Sequence, residues 1–254
     1  MNKRVLIIAN PGRKGAENYC EGVNKDVENY QRYFLSATGG NWYQDEIEVL
    51  MQPSRSLAEQ KIQAMNSFDF SIIVFVGHGY SRYGDTYLEL RPGRWTNDTE
   101  NDISVEKLKN PKQKRIIIVD CCRKAWEPIL EHAQQYSLIK ASTSAIGYNT
   151  RREYEMLIHR MHVMNIVMYS CDLGETAGDD SRKGGYYSYS LLNVCYAAAR
   201  ECVHKGGFYY LSAVGAHERA VPLVQAKKED QNPQIEKPRS GEYLPLAVVV
   251  GSKG

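Results

Sequence analysis

The sequence predicts an α/β fold built on a mostly parallel sheet with helices on both faces. Two observations carry this. Short, continuously apolar runs rich in Ile and Val alternate with amphipathic helical stripes, and two of the runs stop at Asn10-Pro11-Gly12 and at Gly77. A strand covered on both sides has no wet face, so it reads as an unbroken apolar run rather than as an alternation.

Each element follows from the same logic. Arg4–Ala9 is the first strand and breaks at Asn10-Pro11-Gly12. Val23, Val27, Tyr30 and Phe34 fall on one stripe of a helix that Gly39-Gly40 ends. Glu46–Met51 is a second strand, closed by Pro53. Ser56 with Glu59 forms a capping box opening a helix that buries Ala58, Ile62 and Met65. Ser71–Val76 is the third strand and stops at Gly77-His78-Gly79. Tyr80–Asp102 is polar and Gly/Pro-punctuated, with a short β-like piece at Tyr87–Leu90, and reads as a hairpin or excursion. A short helix near Ser104–Lys109 precedes the fourth strand, Arg115–Val119, which runs into Asp120-Cys121-Cys122-Arg123. Lys140–Arg152 carries no clear period. Asn165–Ser170 is strand-like, Asp172–Gly185 is a Gly/Asp-rich loop, and Tyr187–Val203 is a helix burying Leu191, Val194, Cys195 and Ala198. Phe208–Val214 is the candidate last strand; Ala226–Gly241 is charged, and Tyr243–Val250 is apolar again.

Composition narrows the function classes. The 254 residues fit one domain, or one domain built from two subdomains, with ample apolar material, 43%, for a core. A formal net charge of +2 gives no strong field, so neither nucleic acid nor a membrane surface is an expected partner. Val5–Ala9 is too short for a signal core or a membrane span. The six cysteines are irregularly spaced, which suits free thiols in a reducing, cytoplasmic setting. Cys195, Cys202 and His204 lie close in sequence, but no CxxC pair accompanies them, and no metal site is assigned. Asn10-Pro11-Gly12-Arg13-Lys14-Gly15 follows a strand but lacks the Gly-Lys-Ser/Thr order of a phosphate loop.

Chemistry concentrates at two strand ends. His78 and Cys122 each lie just past a strongly apolar strand, 44 residues apart (78 to 122), about one crossover. In parallel sheets the carboxyl ends of strands are where catalytic groups gather. An imidazole beside a thiol can take its proton and return it to a leaving amine. The glycines flanking His78 allow close backbone approach and an oxyanion hole. On spacing alone, a buried structural cysteine and a turn histidine remain the alternative.

These residues resemble the caspase-fold peptidases, closest to metacaspases and their bacterial relatives. The likeness runs in order along nearly the whole chain. It includes Gly77-His78-Gly79, then Asp120-Cys121-Cys122, and Cys20–Phe34 with Gly22, Asn24 and Asp26-Val27. It continues through Ser170-Cys171 to Glu175-Thr176, Gly184–Leu192, Gln231–Gln234 and Leu244-Pro245-Leu246. The resemblance implies a caspase-like three-layer sandwich with a six-stranded sheet. It implies one peptidase domain, with a large-subunit-like part (1–139), an intersubunit-type loop (140–163) and a small-subunit-like part (164–254). It makes Cys122 the nucleophile of a cysteine endopeptidase, His78 its partner, Cys121 a buried neighbour, and the Gly79 and Cys122 backbone N–H groups the oxyanion hole. It places Asp26 and Asp120 in the pocket for the residue before the scissile bond, with Asp172 and Glu175 as secondary candidates. Two acids there favour Arg or Lys and repel Asp. Leu173 stands where the family often has an acid.

Departures from the family are Arg123-Lys124 in place of His-Ser, the absence of the glycine that follows, and Val76 in place of a small polar residue; these changes are expected to reshape the pocket rim and to remove neither catalytic group. Lys140, Arg151 and Arg152 are candidate self-cleavage sites. Asp85, Asp98, Glu100 and Asp102 offer oxygen ligands, but their spacing fits no calcium loop, so no cofactor is assigned. The expected partners are protein or peptide substrates and an activating partner or signal. Bacterial relatives act in stress or antiphage cell death, which is an analogy of fold alone. The alternatives are a catalytically inactive scaffold or a protease with Asp preference.

Overall fold

The computed structural model describes residues 1–91, 101–125, 150–202, 205–239 and 241–251. In chain order the strands and α-helices are β1 (Lys3–Asn10), α1 (Gly22–Leu35), β2 (Ile47–Met51), α2 (Arg55–Ala64), β3 (Phe70–Gly77), β4 (Gly79–Arg82), β5 (Asp85–Glu89), β6 (Asp102–Ser104) and β7 (Lys114–Asp120). They continue with α3 (Thr150–Arg160), β8 (Asn165–Tyr169), β9 (Asp179–Asp180), β10 (Gly184–Gly185), α4 (Tyr186–Cys202), β11 (Gly207–Ser212), α5 (Ala213–Gln225), β12 (Gln234–Glu236) and β13 (Pro245–Gly251).

Six strands form one sheet in the order β12-β8-β7-β3-β1-β2. All its pairings are parallel except that of β12 with β8. Side chains alternate between faces, so β1 divides its residues between two cores. Val5, Ile7 and Ala9 pack on one side with residues of α1, α3, α4 and α5, and Leu6 and Ile8 on the other with α2 and residues of β5 and β6. The α/β sandwich is thus as expected. Among the described residues, one face carries α1, α3, α4 and α5; the other carries α2 and the small antiparallel sheet β4-β5-β6 that the polar Tyr80–Asp102 stretch builds.

Several boundaries differ from expectation. The α2 helix is capped by Ser54, whose Oγ accepts from Leu57 N–H at 3.3 Å; Ser56 lies inside the helix, and Glu59 pairs with Arg55 at 2.9 Å instead of closing a capping box. The strand Phe208–Val214 is not the sheet's last strand. β11 pairs with β13 outside the main sheet, and the sixth position is taken by the short β12. The helix α5 was not read from sequence, since Pro222 and three valines argue against helix; Ser212 caps it and Ala213, Ala216 and Ala220 bury its face.

The intersubunit-type loop (140–163) is helical over α3. Thr150, Tyr154 and Ile158, four residues apart, give it a buried stripe. Its first turn is bound rather than open. Arg151 donates to both carboxylate oxygens of Glu46 at 2.7 Å, contacts Glu155 at 3.0 Å and Asn41 O at 3.1 Å, and stacks on Tyr43. Proteases take substrates as extended strands, so cleavage after Arg151 or its helical neighbour Arg152 requires this turn to unwind. Lys140 lies outside the described residues, as do Asp98, Glu100 and His204.

Candidate active site

The two central strands end side by side, with Val76 paired to Asp120. His78 follows β3 by one residue and Cys122 follows β7 by two, so the adjacency expected from their spacing is present. Both line an open cleft together with Cys20, Val23, Asp26, Asp120 and Ala177–Asp179. The chain can turn here because Gly77 has φ +143°; a Cβ at this residue would overlap the carbonyl of Asn10 on β1.

The two adjacent cysteines have opposite environments. Cys121 is 2% exposed; its sulfur packs where a Cβ of Gly79 would stand, and burial pushes its thiol well above the usual range. Cys122 is half-buried and faces the cleft. Its Sγ accepts from Ala177 N–H at 3.4 Å and donates to Ala177 O at 3.8 Å. The Nε2 edge of His78 lies against Gly12, where a Cβ would come within 2.9 Å of the nitrogen. Gly79 opens β4 opposite Leu88, so both residues named for an oxyanion hole stand at neighbouring strand ends.

Two carboxylates share the floor. Asp26 Oδ2 accepts from Gly185 N–H at 2.8 Å, and Asp120 Oδ2 accepts from Ser188 N–H at 2.9 Å and Ser188 O–H at 2.7 Å. All three donors sit at the N-terminal end of the 17-residue α4, where N–H groups lack intrahelical partners and the helix dipole favours negative charge. That explains how two acids are tolerated there. It does not neutralise them: burial, then the proximity of Asp120, holds the Asp26 carboxyl well above its ordinary range, and burial raises Asp120 too. Asp26 Oδ1 is buried and accepts no hydrogen bond among the described residues.

The approach of α4 depends on glycine. A Cβ at Gly184 would overlap Asp26 Oδ1, and one at Gly185 would overlap Asp120 Oδ2; Gly184 also has φ +99°. Gly184→Ala is expected to lower stability by at least about 1–2 kcal/mol from the left-handed backbone alone, with a further loss from displacing Asp26. Urea unfolding measures it, and an unchanged midpoint would show that α4 can retreat freely.

The secondary acids lie elsewhere. Neither Asp172 nor Glu175 lines the cleft. Glu175 ties its loop to the C-terminal segment, accepting from Asn232 N–H at 2.8 Å, Asn232 Nδ2 at 2.6 Å and Asp172 N–H at 3.0 Å, while Asp172 Oδ1 accepts from Leu173 N–H at 2.7 Å. The acid that does reach the cleft from this loop is Asp179, whose Oδ2 accepts from Gly22 N–H at 3.2 Å. Its only sequence signal was its place in a Gly/Asp-rich loop. Cys20 was likewise not singled out as a cleft residue. Arg123 does not reshape the rim as expected. Its guanidinium is buried away from the cleft, donating to Thr86 Oγ1 at 2.8 Å and Cys171 O at 3.0 Å and stacking on Tyr169. Val76 is fully buried in the core.

Other groupings considered as sites are parts of the fold. Cys195 is a core residue of α4, its thiol pushed up to about 12 by burial. Asp102 accepts from Tyr80 O–H at 2.7 Å inside the small sheet. Among the described residues, no three His, Cys, Asp or Glu side chains converge as metal ligands, and no helix is long and apolar enough to cross a membrane.

The fold and the sequence both have known counterparts. The crystal structure of caspase-1 from Spodoptera frugiperda matches with a TM-score of 0.57 at 10% identity, over 99% of this chain and 92% of that one, which shows the fold. No curated protein matches the sequence. The family model of the caspase domain, peptidase C14, matches residues 2–243. The chain that sets a histidine and a cysteine at the ends of two paired strands therefore belongs to the caspase-domain family of cysteine peptidases.

Proposed function

We propose that this protein is an endopeptidase that cleaves after Arg or Lys, with Cys122 as nucleophile and His78 as proton carrier. The observation that supports it best is Asp26 Oδ1, an acceptor without a hydrogen-bond donor among the described residues, buried beside Asp120 in the cleft that also holds the thiol and the imidazole. A buried acceptor left unmet costs about 1–3 kcal/mol, and an arriving guanidinium or ammonium removes that cost. Asp179 adds a third carboxylate, so an acidic residue of a substrate meets repulsion and desolvation together.

The chemistry follows from the groups present. His78 takes the Cys122 proton; the sulfur attacks the carbonyl carbon of the scissile peptide, and the electron pair moves to its oxygen. On collapse the C–N bond breaks, and the imidazolium gives its proton to the departing amine. Water then attacks the thioester, losing its proton to His78, and the acid is released as the Cys122 thiol re-forms.

Fluorogenic peptides ending in Arg, Lys or Asp test the reading. Turnover of the Arg and Lys peptides is expected, with none after Asp. Turnover only after Asp discards the acidic pocket, and no turnover of any peptide favours an inactive scaffold.

A further inference from the structure

Beside the cleft lies a network of side-chain amides that the reaction above does not use. Asn10, at the carboxyl end of β1, is fully buried. Its Nδ2 donates to Glu89 O at 2.8 Å, and its Oδ1 accepts from Gly12 N–H and from Gln52 Nε2, both at 3.1 Å. Gln52 Nε2 also donates to Gly12 O at 2.7 Å. Gly12 is therefore gripped at both ends of its backbone, and it is the residue pressed against the Nε2 edge of His78. The His78 peptide is held by the same group of residues: its N–H donates to Asn10 O at 3.3 Å, and its C=O accepts from Glu89 N–H at 3.0 Å.

Gln52 is unusual in its backbone as well. Its φ is +47°, a left-handed conformation that costs a non-glycine residue about 1–2 kcal/mol. It is kept there by its N–H to Ala9 O at 2.8 Å and by Arg91 Nε donating to its C=O at 3.0 Å. Strain of this kind persists where the surroundings over-determine it and clusters at functional sites. Glycine would fit this backbone better, yet only the longer amide spans from β2 to both Asn10 and Gly12.

We propose that Gln52 and Asn10 are positioning residues that clamp Gly12 against the imidazole of His78 and so fix the ring for proton transfer with Cys122. This rests on the reading of His78 as the proton carrier. A merely structural role for Gln52 makes the opposite forecast for stability, because Gln52→Gly removes the side chain while relieving the backbone.

The test is Gln52→Gly beside Gln52→Glu, which keeps the length but replaces the donor with an acceptor that faces two oxygens. Both variants are expected to lower kcat for an Arg-ending peptide by about 10–100-fold, the scale of an ångström-sized misplacement, with KM within about twofold. Gln52→Gly is expected to keep or raise the thermal midpoint. The second readout needs no turnover: the pH dependence of Cys122 alkylation by iodoacetamide, followed on its own peptide by mass spectrometry. Its inflection is expected to move toward that of an ordinary thiol in both variants. A Gln52→Gly protein with wild-type alkylation and kcat overturns the proposal. A wild type that cleaves no peptide, but whose alkylation inflection shifts in Gln52→Gly, removes the peptidase reading and leaves the clamp standing.

Discussion

Replacing Cys122 by Ala is expected to reduce kcat toward an Arg-ending peptide by at least about 10⁴-fold, because losing a nucleophile leaves only binding and backbone stabilisation of the carbonyl. Replacing Cys121, its immediate neighbour, is expected to leave kcat nearly unchanged and to cost about 1–2 kcal/mol of stability, the scale of a small core truncation. The contrast comes from one step along the backbone. The alternation of side chains along β7 continues past its end, so Cys121 falls on the side of Val119, in the core shared with Leu88, and its thiol stays protonated. Cys122 faces the cleft, with an amide donor on its sulfur. Steady-state kinetics on the two variants and thiol labelling of the native protein check this together. Rapid labelling at Cys122 and none at Cys121 or Cys171 is expected. An active Cys122→Ala enzyme beside a dead Cys121→Ala one would reverse the assignment.

How much of this was legible in the sequence depended on how local the signal was. The parallel strands were legible because burial on both faces leaves an uninterrupted apolar run, and Ile72–Val76 and Ile116–Val119 have almost no other reading. The strand ends were legible for the same reason, and with them His78 and Cys122. Asp26 and Asp120 came from the family likeness, not from pattern. Their shared contact with the start of α4 joins residues as far apart as Asp26 and Gly185, and no local periodicity carries that. The loop acids show the limit clearly. Asp172, Glu175 and Asp179 lie within one Gly/Asp-rich stretch with no period, so nothing in the sequence separates the one that reaches the cleft from the two that fasten the loop. Arg123 was misplaced by the opposite error. A charged side chain beside a nucleophile invites a role at the rim, whereas its flat guanidinium is satisfied in the interior by a hydroxyl, a carbonyl and an aromatic face.

The acidic floor makes the second large prediction, in which activity and stability move in opposite directions. Asp26→Asn is expected to lower kcat/KM for Arg peptides by about 10²–10³-fold, the loss of a buried charge partner worth several kcal/mol. It is expected to raise stability at neutral pH by roughly 1–2 kcal/mol, as happens when a strained functional group is neutralised. An amide oxygen can still accept from Gly185 N–H, so the contact with α4 survives while the repulsion from Asp120 disappears. The pH dependence fixes the sign. The folded carboxyl is raised above its unfolded value, so the ionised form opposes folding above the folded pKa. That penalty fades as acid protonates Asp26 in the native state first. The stability advantage of Asp26→Asn should therefore be widest at neutral and alkaline pH and close on acidification. Over the same range the KM of the wild type for Arg peptides should climb, because a protonated Asp26 no longer attracts the cation. Paired urea titrations and kinetics across pH measure both trends. A stability gap that widens toward acid, or a KM indifferent to pH, is incompatible with a buried carboxylate waiting for a basic side chain.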